Sequence, residues 1–459
     1  MSLSNISEFG NWLTQEFPLI ERLNLKNVGR EPLMHLCQLN PPQGLQRFTS
    51  LRKLCIENCS TLVSFPEVCF LYNLSELEIR NCSSLTSLLD EAMKHNNSCL
   101  EHLEIVRCDS LTVIVRGQLP SSIKRLIVRD CKKLQCLLDD RESTSLLEYL
   151  YVLNCPSLVW LSSGGQLPTT LKDLSIECCS QITTLSSSGQ LPEMLCTLSI
   201  MLNPMLESIA ESFHNNTHLE NIWISRCENL KSIPEGLHNL CRLWYIRIWN
   251  CPSIVCFPEG GLPNTNLNVS IISCEKLKAL PNRFHSFNSL QALEIRQCPS
   301  IKSFPDGGFP TNLTSLEVED LNIYKPLVEW GLHKLTSLNV LEINGCPDAE
   351  SFPQKELGMM LPPSLTRLYI KNFPKLKCLW FEGFGNRTSL EYLWIRDCPN
   401  LTSFPDSGLP SSLIYLYIRK CPSLKEQCKK NKGKEWSKIS DIPCVYIDGR
   451  FIYSLEDKE

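Results

Sequence analysis

Residues 389–405 read SLEYLWIRDCPNLTSFP. Leu390, Leu393, Ile395, Cys398 and Leu401 set a spacing, L-x-x-L-x-I-x-x-C-x-x-L, with polar or aromatic residues between them. The spacing returns at Leu51, Leu54, Ile56, Cys59 and Leu62, and again at Leu74, Leu77, Ile79, Cys82 and Leu85. Further copies begin at Leu100, Ile123, Leu147, Leu171, Leu195, Leu219, Leu243, Leu290, Leu313, Leu338, Leu365 and Leu413. A degenerate copy starts at Ile20, and one around Val269, Ile271 and Cys274 has slipped by one residue. That makes 17 copies, mostly 23 to 27 residues apart, with a longer gap from Ile20 to Leu51 that has room for an irregular copy. The alternating Leu-x-Ile is a short strand with one buried face. Strands recurring at a fixed period lie parallel, and each copy buries its apolar face only against its neighbours.

This spacing is that of the leucine-rich repeat. The expected fold is an α/β repeat: a leucine-rich-repeat solenoid, horseshoe-shaped, with a parallel β-sheet on the concave face and mostly irregular, turn-rich convex connections. Residues 1–19 read as a lead-in and 20–424 as the solenoid of about 17 repeats. Residues 425–459 read as a C-terminal cap, with Trp436, Ile442, Val445 and Ile447 set to pack on the repeat from Leu413. No comparable N-terminal cap is visible. Short helices fit 90–97 and 325–335.

Cys fills the slot after the strand in 13 of the 17 copies, from Cys59 to Cys421; Val28, Asn203, Leu321 and Phe373 are the exceptions. The chain turns inward there and leaves backbone groups buried. Cys is small, readily buried and a weak S–H donor, which suits the place. No C-x-x-C pair has zinc spacing, so these thiols read as structural. Phrases such as Ser403-Phe404-Pro405 follow, with the Phe or Ile facing the core and Pro barring another ladder strand. A Gly-x-Leu-Pro turn then feeds the next strand.

Composition excludes several function classes. The chain has 45 Lys+Arg against 49 Asp+Glu, which gives no global argument for nucleic acid or another polyanion. No run of about 18 apolar residues suggests a membrane span. The N-terminus does not read as a signal peptide, so a cytoplasmic location with free thiols is expected for the 25 cysteines. No H-E-x-x-H, G-x-S-x-G or phosphate-loop motif is present. No catalytic residue, metal ligand or cofactor is expected, and the chain does not read as an enzyme.

Function then rests on the open face. From Leu365 onward the outward positions read Arg367, Tyr369, Lys371, Asn372, then Tyr392, Trp394, Arg396, Asp397, then Tyr415, Tyr417, Arg419, Lys420. A second cluster combines Trp223, Tyr245, Arg247 and Trp249, with Tyr149 and Tyr151 further back. Between the two the face turns acidic, at Glu294, Glu317, Glu319, Asp320 and Glu342. Tyr, Trp and Arg dominate interface energetics. Aromatic residues also favour strands and stack across them, which is the structural alternative. Five cations of the C-terminal group face the single carboxylate of Asp397, so a partner that is acidic or phosphorylated there is expected.

The combination L-x-x-L-x-I-x-x-C-P-x-L-x-S-F-P with Gly-Leu-Pro-Ser-Ser-Leu resembles the leucine-rich-repeat region of plant disease-resistance proteins, closest to the coiled-coil, nucleotide-binding (NBS-LRR) type. Residues 421–449, CPSLKEQCKKNKGKEWSKISDIPCVYIDG, resemble that family's C-terminal end. The resemblance implies a protein ligand on the concave face: a pathogen effector or a modified host protein. In full-length relatives it also implies restraint of the nucleotide-binding domain. This chain has no G-x-x-x-x-G-K-[S/T], so it resembles a detached sensor region and nucleotide binding is not expected. A substrate receptor of a ubiquitin ligase is the alternative, since some of those use a Cys-bearing repeat; their Ile-Thr-Asp-like phrase is missing here.

Overall fold

The computed structural model describes residues 2–4, 19–29, 50–64, 73–88, 99–116, 119–139, 145–186, 188–302, 304–319, 321–380, 382, 389–430 and 432–452. The chain forms two compact units, Met1–Leu243 and Trp244–Glu459.

The strands of the first unit are β1 (Ser2–Ser4), β2 (Arg22–Lys26), β3 (Lys53–Glu57), β4 (Glu76–Arg80), β5 (His102–Val106), β6 (Val113–Arg116), β7 (Arg125–Arg129), β8 (Cys136–Asp139), β9 (Tyr149–Leu153), β10 (Trp160–Ser162), β11 (Asp173–Glu177), β12 (Thr197–Met201) and β13 (Asn221–Ser225). Ten of them pair in parallel in the order β1-β2-β3-β4-β5-β7-β9-β11-β12-β13. The second unit holds β14 (Tyr245–Trp249), β15 (Leu267–Ile272), β16 (Leu290–Arg296), β17 (Ser315–Val318), β18 (Val340–Asn344), β19 (Ser351–Phe352), β20 (Arg367–Lys371), β21 (Cys378–Leu379), β22 (Tyr392–Arg396), β23 (Tyr415–Arg419), β24 (Cys444–Ile447) and β25 (Arg450–Phe451). Its ladder runs β14-β15-β16-β17-β18-β20-β22-β23-β24 in parallel and closes with β25 antiparallel.

The fold is a leucine-rich-repeat solenoid with few helices. In each ladder strand the Leu and Ile (or Val) of the motif are buried, and in most the residue between them is open, Cys55, Glu104 and Ser270 being buried exceptions; in β22 Leu393 and Ile395 are sealed while Tyr392, Trp394 and Arg396 are half-buried. The slipped copy shows as a register shift between Leu267 and Asn268.

The turn after each strand has a cause that the motif alone does not disclose. The residue just before the cysteine slot is left-handed: Asn58, Asn81, Asn154 and Asn250 at φ 54–59°, with Arg107, Asp130, Asp397 and others alike, and Gly345 at 76°. Asn and Asp tolerate that conformation better than other L-residues, because their short side chains bond locally. Every ladder cysteine is buried, and except at Cys346 the thiol donates two residues back, as Cys82 does to Arg80 O at 3.5 Å and Cys398 to Arg396 O at 3.3 Å. Asn203 does the same work more strongly. It donates to Ile176 O (2.9 Å) and Met201 O (3.0 Å) and accepts from Cys179 N (2.9 Å). Leu321 departs from the pattern because a helix, α1 (Leu321–Trp330), starts in its slot. That helix covers the expected 325–335 segment in part, and the segment at 90–97 lies outside the described residues.

After some of the slots a second short strand forms: β6, β8 and β10 pair in parallel, and β19 pairs with β21. Ile233 and Phe404 are buried as expected, but Phe304 is half-buried and packs on Phe309 and Trp330 instead. Gly236 has φ 82°, and a Cβ there would stand 2.7 Å from His214 Nδ1, so the turn glycine serves both conformation and close packing.

β1 pairs with β2, Leu3 opposite Leu25, so the N-terminal edge has a partner strand that the sequence did not disclose. At the other end α2 (Pro422–Gln427) and α3 (Trp436–Ile439) precede β24, which continues the ladder in register with Val445 and Ile447 buried.

Candidate interaction face

The third position of consecutive strands lines up in the second unit. From β16 it carries Glu294, Glu317, Glu342, Tyr369, Trp394, Tyr417 and Tyr446, each in register with the next. One half of this column is acidic and the other aromatic.

The aromatic half is a stack. Trp394 lies 5.4 Å from Tyr417 at 20°, and Tyr417 lies 4.7 Å from Tyr446 at 5°. Tyr369 sits 6.1 Å from Trp394, and Phe451 of β25 closes the far end 5.3 Å from Tyr446. The first-position residues join it: Tyr392 stacks on Tyr417 at 5.2 Å and lies 6.0 Å from Tyr415. Parallel strands about 4.8 Å apart hold rings at stacking distance without effort from the side chains. Burial, then the neighbouring Tyr369 and Tyr417, push the Tyr392 phenol up to about 12.

Tyr446 and Phe451 were not read from the sequence as part of this face, because they fall after the last Leu-x-x-Leu motif. The aromatic content of the cap strand was the available signal. Trp394 needs correcting too. It is half-buried between rings, and its indole Nε1 is sealed from solvent with no acceptor among the described residues. The outermost ring is Tyr415, 41% exposed.

The charge beside the ladder is smaller than the sequence count of five cations to one carboxylate. Lys371 Nζ is 2.5 Å from Glu342, and Asp397 is shared by Arg396 (2.9 Å) and Lys420 (3.5 Å). Arg367 and Arg419, both exposed, have no ion pair among the described residues. Arg367 and Arg419 are thus the cations of this group with no carboxylate at ion-pair distance among the described residues, while Arg396 and Lys420 share one.

No protein-family model and no curated protein matches the chain. Solved structures do. A leucine-rich-repeat protein of Leptospira interrogans is 15% identical over 88% of this chain and 89% of its own, at TM-score 0.43. An internalin of Listeria monocytogenes is 16% identical over 83% and 88%, at 0.36. A plant peptide hormone receptor in complex with RGF2 is 14% identical over 97% and 89%, at 0.29. These values carry nothing about ligand or activity.

In the acidic half Lys371 holds Glu342, and one arginine holds the other two glutamates. Arg296 reaches Glu294 at 3.3 Å, Glu317 at 3.0 Å and Glu319 at 3.1 Å. Ser270 donates to Glu294 at 2.6 Å. Burial, with the adjacent Glu342 and Glu294, pushes the Glu317 carboxyl up to about 7. Asp320 lies outside the described residues.

The second expected cluster divides. Trp223 belongs to the first unit, while Tyr245, Arg247 and Trp249 belong to the second. Within the second unit the Arg247 guanidinium lies 5.8 Å from the Trp249 ring, and Tyr245 lies 5.8 Å from Trp244. Among the described residues no group of three or more His, Cys, Asp or Glu could hold a metal ion, and no helix is long and apolar enough to cross a membrane.

Proposed function

We propose that this chain is a non-enzymatic protein-recognition module of plant innate immunity, which senses a pathogen effector or a modified host protein. The reading rests on the open face of the ladder. Seven aromatic residues from Tyr369 to Phe451 form one continuous stack flanked by Arg367 and Arg419. A stack of this extent is a large contact area that loses little side-chain freedom on binding. Arg367, Tyr369, Tyr392, Trp394, Arg396, Tyr415, Tyr417 and Arg419 are its contact residues. Trp223, Tyr245, Arg247 and Trp249 are a secondary set. In full-length relatives the same solenoid would restrain a nucleotide-binding domain. Residues 1–19 serve as lead-in, 20–424 as the recognition solenoid and 425–459 as cap. A reducing cytoplasm suits ladder thiols that work as hydrogen-bond donors.

A yeast-displayed library of secreted pathogen effectors, panned with the whole chain, tests this. The reading predicts binders that are lost on Tyr415→Ala with Arg419→Glu and retained on Lys302→Ala, a substitution away from the ladder. Binders indifferent to the double variant, or no binder at all, would overturn it.

A further inference from the structure

The open face of the first unit has the opposite relief. Its third-position column runs Tyr151, Ser175, Ser199, Trp223, in register across β9, β11, β12 and β13. Two serines between two large rings leave a hollow of about 500 Å³. The rings stand three strand steps apart, about 14 Å between backbones. One wall is cationic: the Arg125 guanidinium lies 4.7 Å from the Tyr149 ring centre and that of Arg129 lies 5.3 Å from Tyr151. Those guanidiniums are underused. Arg125 is exposed and has no ion pair among the described residues, and Arg129 reaches Glu104 only at 3.7 Å with its Nε sealed and unbonded. Asp173 is the single carboxylate among the lining residues. The opposite wall, Trp223, is 42% exposed.

We propose that this hollow is a receptor subsite for one aromatic side chain of a protein partner, carried beside a carboxylate. The ring enters between Tyr151 and Trp223 over the serine floor, and the neighbouring carboxylate meets Arg125 and Arg129. Three observations converge on this occupant. The volume lies within the range of roughly 300–1,000 Å³ found for binding pockets and exceeds what a single water network needs. Tyr151 and Trp223 line it on either side of the serines, and aromatic rings favour a planar guest. The exposed Arg125 guanidinium, without an ion pair among the described residues, favours an anion, and Asp173 is the one carboxylate among the lining residues. The proposal goes beyond the aromatic stack of the second unit, because here the partner supplies the ring and this chain supplies the cavity.

The probe is a blocked pentapeptide, acetyl-Gly-Glu-Phe-Glu-Gly-amide, titrated against the full chain by ligand-observed NMR. Its controls replace Phe by Ala or both Glu by Lys. Binding in the range of about 0.1–5 mM is expected, with at least tenfold loss for either control peptide. Ser199→Phe fills the hollow and should abolish binding, while Trp394→Ala in the other unit should leave it within twofold. If Ser199→Phe alters the circular dichroism spectrum, Arg125→Glu decides: weakening of tenfold or more supports the site, and less overturns it. Three results would overturn the proposal: no binding up to about 5 mM, binding that survives Ser199→Phe in a natively folded chain, or equal loss on Trp394→Ala. The last of these leaves the second-unit reading standing, so the two can fail separately.

Discussion

Two stretches of one column carry opposite chemistry on the same scaffold. Glu294, Glu317 and Glu342 stand on β16, β17 and β18; Tyr369, Trp394, Tyr417 and Tyr446 stand on β20, β22, β23 and β24. The backbone spacing is the same in both. For rings that spacing is close to ideal stacking distance. For carboxylates it is a source of repulsion, relieved by Arg296, Lys371, the Ser270 hydroxyl and a raised pKa at Glu317. The aromatic half therefore stabilises the ladder whether or not it binds anything, whereas the acidic half opposes it. Stacking alone accounts for the rings; it gives no account of the glutamates, which makes the acidic half the stronger sign of selection for a surface property.

The largest expected effect comes from breaking the acidic half. Arg296→Ala removes the cation that touches three glutamates. Urea unfolding followed by tryptophan fluorescence should show the second unit destabilised by about 2–4 kcal/mol at pH 8, with part of that loss recovered at pH 5, where the Glu317 carboxyl is protonated. A loss that does not depend on pH would mean Arg296 acts through packing.

Breaking the aromatic half should cost less. Trp394→Ala takes a half-buried indole out from between Tyr369 and Tyr417 and should destabilise by about 1–3 kcal/mol. It should also weaken any complex made through this face by about 2 kcal/mol or more if the ring is a hot spot. A variant that loses stability but keeps full affinity would assign the indole to the ladder alone.

These two halves were legible to different degrees. The strands, their register and the buried Leu-x-Ile faces follow from a period of 23 to 27 residues, because apolar spacing of that regularity has one stacked solution. The thiol ladder followed from the size and weak donor character of cysteine. What the motif did not disclose depends on contacts between repeats. The left-handed residue before Cys82 or Cys155 is an Asn, but Arg107 and Gln297 adopt the same φ, so residue type alone did not mark it. The pairing of Lys371 with Glu342 crosses 29 residues of sequence, and simple counting of charges missed it. Tyr446 was hidden because β24 continues the ladder without the Leu-x-x-Leu signature.

Glu317→Gln sharpens the comparison from the acidic side. The folded carboxyl titrates at about 7, above its ordinary value, because burial and two neighbouring glutamates disfavour the charge. The native state therefore holds a proton that the unfolded chain has already lost, and stability falls as pH rises from the ordinary carboxylate range to about 7. The glutamine variant removes that slope and should be about 1–2 kcal/mol more stable than wild type at pH 8. Unfolding midpoints at pH 5 and pH 8 check it, and equal slopes in the two proteins would assign the titration elsewhere.

The smallest effect is expected at the end of the ring stack, and it separates a cooperative ladder from a row of independent pairs. Tyr446 stacks on Tyr417 nearly face to face, with Phe451 on its other side, and Trp394 lies two strands away with Tyr417 between them. Tyr446→Ala should cost about 0.5–1.5 kcal/mol, the worth of an aromatic pair beyond its area, and Tyr446→Phe should cost less because the ring face remains. The informative quantity is the double variant with Trp394→Ala. Residues two strands apart share no direct contact, so independent pairs predict additivity within about 0.5 kcal/mol. If Tyr417 relaxes once either neighbour is gone, the second loss is smaller than the first. The coupling then measures how far the stack is held as one body. A coupled stack presents its edges and hydroxyls to a partner as a rigid surface and loses little entropy on contact. An additive one does not, and the argument for the aromatic half as a preorganised face would then rest on Tyr415 and the two free arginines alone.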